Sequence, residues 1–208
     1  MLDAPVPALF VVAAFAVGAI PWGLLLTRWV AGVDVRTVGS GNVGSTNVTR
    51  VLGGKWFPVI FGLDGAKGIA PVLLFPGFAG HPDAEWLRVA CGLAAVLGHV
   101  FNPFLNFKGG KGVATAAGVV GGLSAMALAG VVTVFLIVFF AFRYVSLASI
   151  CCAAALVPFT FVLGCSIEVK LFGVLAATVV IVRHRSNMAR IAAGTEPRVF
   201  SKKEAAGG

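Results

Sequence analysis

Apolar runs of membrane-crossing length, parted by short stretches that hold nearly all the cations, leave this chain few ways to fold. Seven segments can be drawn: about Pro7 to Val30, Trp56 to Phe78, Glu85 to Phe104, Val113 to Leu123, Ala125 to Phe142, Val145 to Gly164 and Val169 to Ile191. One crossing takes about 20 apolar residues, so Val113 to Phe142 is too long for a single helix. Gly121-Gly122-Leu123-Ser124 offers a turn inside it, which predicts a short fourth helix and a full fifth. The seventh segment continues past its apolar run into basic residues. Hydrophobic residues make up 59% of the chain and charged residues 12%, about half the charge of a soluble domain. A β-barrel would need alternation with period two, which is absent. The reading is an all-α integral membrane protein: a seven-transmembrane-helix bundle, with residues 1–208 as one membrane-embedded domain.

Seven crossings put the termini on opposite sides and sort the charges. One side receives Arg28, Arg36, Arg50, Lys55, Lys108, Lys111, Arg143, Arg183, Arg185, Arg190, Arg198, Lys202 and Lys203. The other receives Arg88 and Lys170 with Asp3, Asp83, Glu85 and Glu168. Cytoplasmic loops carry the excess of Lys and Arg, so the N-terminus is expected outside and the C-terminus in the cytoplasm. No Lys or Arg precedes the first apolar run, so it lacks the basic region of a signal peptide and is expected to stay as a helix. The net charge of +8 then belongs to loops at a membrane surface, and no basic soluble domain exists to hold nucleic acid. Cys91, Cys151, Cys152 and Cys165 lie in or beside apolar segments and read as small packing residues.

Three polar, cation-bearing stretches fall on the cytoplasmic side of this topology. The first is Val38-Gly39-Ser40-Gly41-Asn42-Val43-Gly44-Ser45-Thr46-Asn47-Val48-Thr49-Arg50. Its glycines allow sharp turns and close approach to a ligand. Ser40, Thr46 and Asn47 offer short donors and acceptors, and Arg50 offers a planar fork suited to phosphate. The second holds His99 and Lys108-Gly109-Gly110-Lys111-Gly112 at the start of the fourth helix, where backbone N–H groups and the macrodipole favour anions. It is not a Walker A loop: position 105 is Leu, and Gly112 follows Lys111 where Ser or Thr is required. Two lysines there would also suit a plain anchor to lipid headgroups. The third is Arg183 to Glu196, in which His184, Asn187 and Ile191 are spaced to share a helical face. Such histidines either pack and hydrogen-bond or take part in chemistry. His81 lies in an outer loop. Asp64 and Lys67, three apart inside the second segment, can pair; they either tie that segment to its neighbours or act directly.

Gly39-Ser40-Gly41-Asn42-x-Gly44-x-Thr46-Asn47-x-x-Arg50, Gly98-His99 with Phe107-Lys108-Gly109-Gly110-Lys111-Gly112-Val113-Ala114-Thr115, and Arg183-His184-x-x-Asn187-x-x-Arg190 with Gly194-x-Glu196 resemble, in that order, the bacterial acyl-phosphate:glycerol-3-phosphate acyltransferases, the PlsY family. The resemblance covers nearly the whole chain. Asn102-Pro103 and Met188-Ala189-Arg190-Ile191 depart from the family pattern without removing a polar residue of interest. It implies transfer of a fatty acyl group from acyl phosphate to the 1-hydroxyl of glycerol 3-phosphate. The products are lysophosphatidic acid and phosphate, the first acylation of bacterial membrane phospholipid synthesis. It also implies a multi-pass protein of the inner membrane with its active site at the cytoplasmic face, surrounded by membrane lipid. No cofactor or metal is implied, and a functional link to the enzyme supplying acyl phosphate is.

On this reading Ser40, Lys111 and Asn187 are the expected catalytic residues. Gly41, Asn42, Thr46, Asn47, Arg50, His99, Lys108, Gly109, Gly110, Gly112, His184 and Glu196 are expected to bind substrate. Gly109 to Gly112 should cradle the phosphoryl group of the donor. No His is followed five residues later by Asp: those positions are Trp86, Phe104 and Ala189. The usual His/Asp acyltransfer mechanism is therefore unavailable. The leaving phosphate, rather than a protein base, is expected to take the proton. An anion transporter and a lipid-binding structural protein remain as alternatives. The first needs a polar path through the membrane, whereas polar residues here crowd one face. The second does not need the Asn and Ser placements.

Overall fold

The computed structural model describes residues 5–199, and every regular element among them is helical. Asp3, Lys202 and Lys203, counted above for orientation, lie outside the described residues. The chain divides into two compact units, Met1–Ala125 and Met126–Gly208.

The first unit contains α1 (Pro5–Gly18), α2 (Trp22–Ala31), α3 (Ser45–Leu52), α4 (Phe57–Phe78), α5 (Glu85–Val100) and α6 (Val113–Leu123). The first apolar segment, expected as one helix, is broken into α1 and α2. Pro21 cannot donate to the turn before it, and it pushes Ile20 out of the helical region. The carbonyls left over at the break find side-chain donors. Asn102 Nδ2 donates to Ala19 O at 2.6 Å, and Lys67 Nζ to Ile20 O at 2.9 Å. Helix α5 stops at Val100, short of the expected Phe104. Asn102 Oδ1 accepts from Phe104 N at 3.0 Å and caps a separate 3₁₀ turn, Pro103–Leu105.

The seams between these helices are backbone against backbone. A Cβ at Gly18 would fall on the carbonyl of Ala95, one at Gly98 on that of Phe15, one at Gly68 on that of Thr115, and one at Gly118 on that of Gly65. Small residues permit such approach between membrane helices. Under the first polar stretch lies a small apolar core of Leu24, Val35, Val43, Val48, Ile60 and Leu105. Ordinary hydrophobic burial therefore seats this glycine-rich segment, and half of it is the helix α3 where sequence alone gave a turn-rich stretch.

The second unit contains α7 (Ala125–Phe142), α8 (Val145–Val162), α9 (Ile167–Arg183) and α10 (Arg185–Ala192). Ser166 Oγ accepts from Val169 N at 3.3 Å and caps α9. Helix α9 was expected to run on to Ile191. Instead it ends at Arg183, where His184 (φ −96°, ψ 6°) leaves the helical region before α10 begins. Helices α8 and α9 pack together, with Gly173 of α9 against Thr160 and Leu156 of α8. The four cysteines are free thiols. Among the described residues, five helical stretches are long and apolar enough to cross a membrane: Pro5–Ala31, Gly54–Phe78, Glu85–Leu105, Ala125–Phe142 and Val145–Val162.

Candidate functional site

In the first unit the polar stretch is held at both ends. Asp34 Oδ2 lies 2.7 Å from Arg28 Nη2 and 2.7 Å from Arg36 Nη2, and its Oδ1 accepts from Arg36 N at 3.0 Å. The Arg36 guanidinium is the main reason this carboxyl stays well below the usual range. Two of the cations assigned to this face thus share one carboxylate, which offsets one of their two charges. Further along, Asn47 is buried and all its polar atoms are used. Its Nδ2 donates to Val35 O at 3.0 Å and Val38 O at 2.9 Å. Its Oδ1 accepts from Ser40 N at 3.0 Å and from Arg50 Nη1 at 3.0 Å. Asn47 therefore folds the loop and aims Arg50. Gly39 (φ 57°) lies against both, and a Cβ there would meet Asn47 Oδ1 and Arg50 Nη1 within 2.7 Å. Asn42 Oδ1 accepts from Gly44 N at 2.9 Å. Ser40, Gly41, Thr46 and Arg50 are exposed.

The second stretch of this unit leans on α4 and α5. Asp64 and Lys67 are buried and pair at 2.8 Å, and Asp64 Oδ1 is 3.8 Å from His99 Nδ1. Gly109 N donates to Val100 O at 3.1 Å, and Gly110 N to His99 O at 3.2 Å. Two amides expected to cradle phosphate are therefore engaged by the end of α5. A Cβ on Gly110 would overlap His99 Nε2, so this glycine serves close packing on the ring. Gly112 is the N-cap of α6, with φ 86°, a left-handed value that favours glycine. Lys111, half-buried, immediately precedes this N-terminus, while Lys108 is exposed.

In the second unit the third stretch closes around one carboxylate. Glu196 Oε1 accepts from Ser146 Oγ at 2.6 Å and from Asn187 Nδ2 at 2.6 Å, and Oε2 accepts from Arg190 Nε at 2.7 Å. Burial raises the Glu196 pKa, but hydrogen bonds from Ser146, Asn187 and Arg190 outweigh it and hold the carboxyl below its ordinary range. His184 is buried at the α9–α10 break, its Nδ1 2.8 Å from Val180 O.

A family model, glycerol-3-phosphate acyltransferase, matches residues 8–194. The chain belongs to the glycerol-3-phosphate acyltransferase family. The glycerol-3-phosphate acyltransferase of Myxococcus xanthus is 44% identical over 188 residues, which is 90% of this chain and 97% of that protein. Crystal structures of PlsY, an integral membrane glycerol 3-phosphate acyltransferase, are similar throughout. Its glycerol 3-phosphate form has a TM-score of 0.89 at 40% identity, covering 97% of this chain and 99% of that one. Its lysophosphatidic acid form has 0.84 at 40% identity, covering 92% and 94%. The chain is therefore an all-helical, multi-pass integral membrane protein of the PlsY fold.

Within this family member, the first unit brings Ser40 N, Asn47 and Arg50 together, and separately His99, Gly109 and Gly110. The second unit brings Asn187 to Glu196. Reading the sequence missed Ser146 as the partner of Glu196. It is one serine on an apolar helix, fifty residues from the glutamate, and has no local signature. It also missed Asn102, whose polar side chain before Pro103 was the available signal.

Proposed function

We propose that the protein transfers a fatty acyl group from acyl phosphate to the 1-hydroxyl of glycerol 3-phosphate, releasing lysophosphatidic acid and phosphate. What carries this reading is the likeness, over almost the entire chain, to a solved acyltransferase in its glycerol 3-phosphate form. The ordered motifs agree with it. We take residues 1–208 as one working domain of seven crossings, with a short fourth helix, N-terminus outside and C-terminus in the cytoplasm. The reaction then runs at the cytoplasmic face of the bacterial inner membrane, as the first acylation of phospholipid synthesis, linked to the enzyme that supplies acyl phosphate. Purified protein given acyl phosphate and glycerol 3-phosphate should release phosphate in proportion to lysophosphatidic acid formed. Release without acceptor acylation, or no release, counts against the reading.

Arg50 holds the phosphate of glycerol 3-phosphate, with Lys111, His184 and Asn187 adding contacts. Removing a charged hydrogen-bonding partner costs about 1.5–3 kcal/mol. Arg50→Ala should therefore raise KM for glycerol 3-phosphate about ten-fold or more, and an unchanged KM in a folded variant removes Arg50 from this role.

The acceptor hydroxyl must lose a proton as its oxygen attacks the acyl carbon and the C–O bond to phosphate breaks. The departing phosphate takes that proton within the same complex. Ser40 and Asn187 position the hydroxyl, and Lys111 stabilises the charge on the leaving group. Gly41, Asn42, Thr46, Asn47, Lys108, Gly109, Gly110, Gly112 and Glu196 shape or support the binding surfaces, and His99 backs Gly110. A protein base is worth about 10²–10⁴-fold. His99→Ala and His184→Gln should each keep turnover at saturating substrate above that range of loss between about pH 6 and 9. A thousand-fold fall with binding intact, and the acidic limb of the profile gone, would make that histidine the base.

A further inference from the structure

The Asp64–Lys67 pair belongs to none of the three polar stretches, yet it touches both the α1–α2 break and α5. Both side chains are nearly sealed from solvent, at 4% and 2% exposure. Lys67 bridges two elements: Nζ reaches Asp64 Oδ1 on its own helix and the Ile20 carbonyl at the α1–α2 break. Asp64 Oδ1 also faces the ring of His99 on α5, at ion-pair distance from Nδ1. The opposite edge of that ring, at Nε2, is the surface on which Gly110 rests without room for a methyl group. The carbonyls of His99 and Val100 receive the Gly110 and Gly109 amides. The next residue is Lys111.

We propose that Asp64 and Lys67 form a positioning pair that acts through His99 to set the path of the Gly109-Gly110-Lys111 turn. The inference rests on the acyltransfer reading, in which Lys111 stabilises the leaving phosphate. Asp64 Oδ1 lies 3.8 Å from Nδ1, so it acts on the ring through its charge rather than a hydrogen bond: it favours the proton on Nδ1 and holds the ring with its Nε2 edge against Gly110. Lys67 anchors the carboxylate so that it cannot turn away. If the pair only held helices together, a well-packed neutral pair would serve equally well, because buried ion pairs are seldom net stabilising.

The test separates the two roles. Asp64→Asn keeps the side-chain volume and removes the charge. It should lower turnover about ten- to a hundred-fold, the effect of misplacing a reacting group by around an ångström, and leave KM for glycerol 3-phosphate within about three-fold. Asp64→Asn combined with Lys67→Met leaves no unpaired charge. Its melting temperature should return toward wild type while turnover stays low. If turnover returns with stability, the pair is structural and the proposal fails.

A second readout does not depend on activity. The chain has three histidines, so ¹⁵N NMR of the imidazoles can be assigned by single replacements. His99 should carry its proton on Nδ1 in the wild type and lose that preference in Asp64→Asn, with His81 and His184 unchanged. Finding the wild-type proton on Nε2 overturns the proposal. Should wild-type protein fail to make lysophosphatidic acid from acyl phosphate, the functional reading fails while the NMR result still stands or falls by itself.

Discussion

Lys111→Ala is expected to lower turnover about 10²–10³-fold, the usual cost of removing one preorganised donor aimed at developing charge. On the proposed reaction, negative charge gathers on the departing phosphate as acyl transfer proceeds. Lys111 sits immediately before the N-cap of α6, where the free N–H groups and the helix dipole act on the same anion. Gly109 and Gly110 have already given their amides to α5. On the proposed mechanism, the electrostatic work that the whole loop was expected to share then falls to the lysine and the first turn of α6. KM for glycerol 3-phosphate should change less than turnover, because Arg50 is its main phosphate partner while the interaction of Lys111 with the leaving group strengthens in the transition state. Turnover within about ten-fold of wild type in a folded Lys111→Ala protein would remove the residue from this role.

Glu196→Gln should cost both stability and turnover, although it changes one atom. Both carboxylate oxygens accept: Oε1 from Ser146 and Asn187, Oε2 from Arg190. An amide offers one acceptor and one donor. In one orientation its NH₂ meets the buried Asn187 amide and in the other the half-buried Arg190 guanidinium, so one donor is stranded either way. The loss of a charged hydrogen bond is worth about 1.5–3 kcal/mol, so a clear fall in melting temperature is expected. Turnover should drop about ten-fold or more as Asn187 loses its hold. The pH dependence has a definite sign. The Glu196 pKa is lowered from 4.5, so the stabilisation is fully present above that value and is lost as pH falls through the lower, folded-state value. The melting-temperature gap between wild type and Glu196→Gln should be constant from about pH 8 to 5 and narrow only in stronger acid. A gap that closes near neutrality would mean that the three bonds do not hold the carboxylate as described.

Much of this was legible in the chain because hydropathy and turn chemistry act locally. Gly121 to Ser124 interrupts an apolar run, and helices α6 and α7 take the bounds Val113–Leu123 and Ala125–Phe142 read there. The pairing of Asp64 with Lys67 followed from helical spacing alone. The break between α1 and α2 was not legible from hydropathy, since Gly18 to Pro21 are all apolar or neutral. Only Pro21 signalled it, and the compensating donors lie on Lys67 and Asn102, far away in sequence. The same limit applied to Asn47. Its donors and acceptors were plain, but their partners Val35, Val38 and Ser40 emerge only once the loop has folded. Side chains such as Ser146 gain meaning from a contact, and a contact across fifty residues leaves no periodic trace.

The glycine seams of the first unit bear on where a fatty chain can go. At Gly18, Gly68, Gly98 and Gly118 there is no space for even one added methyl group between neighbouring backbones. A polymethylene tail, being a row of such groups, is shut out at those levels between α1 and α5 and between α4 and α6. On the acyltransfer proposed here, the hydrocarbon of a long-chain donor or product has to lie elsewhere than in these two seams. Substrate and product would then come and go without parting α1 from α5 or α4 from α6.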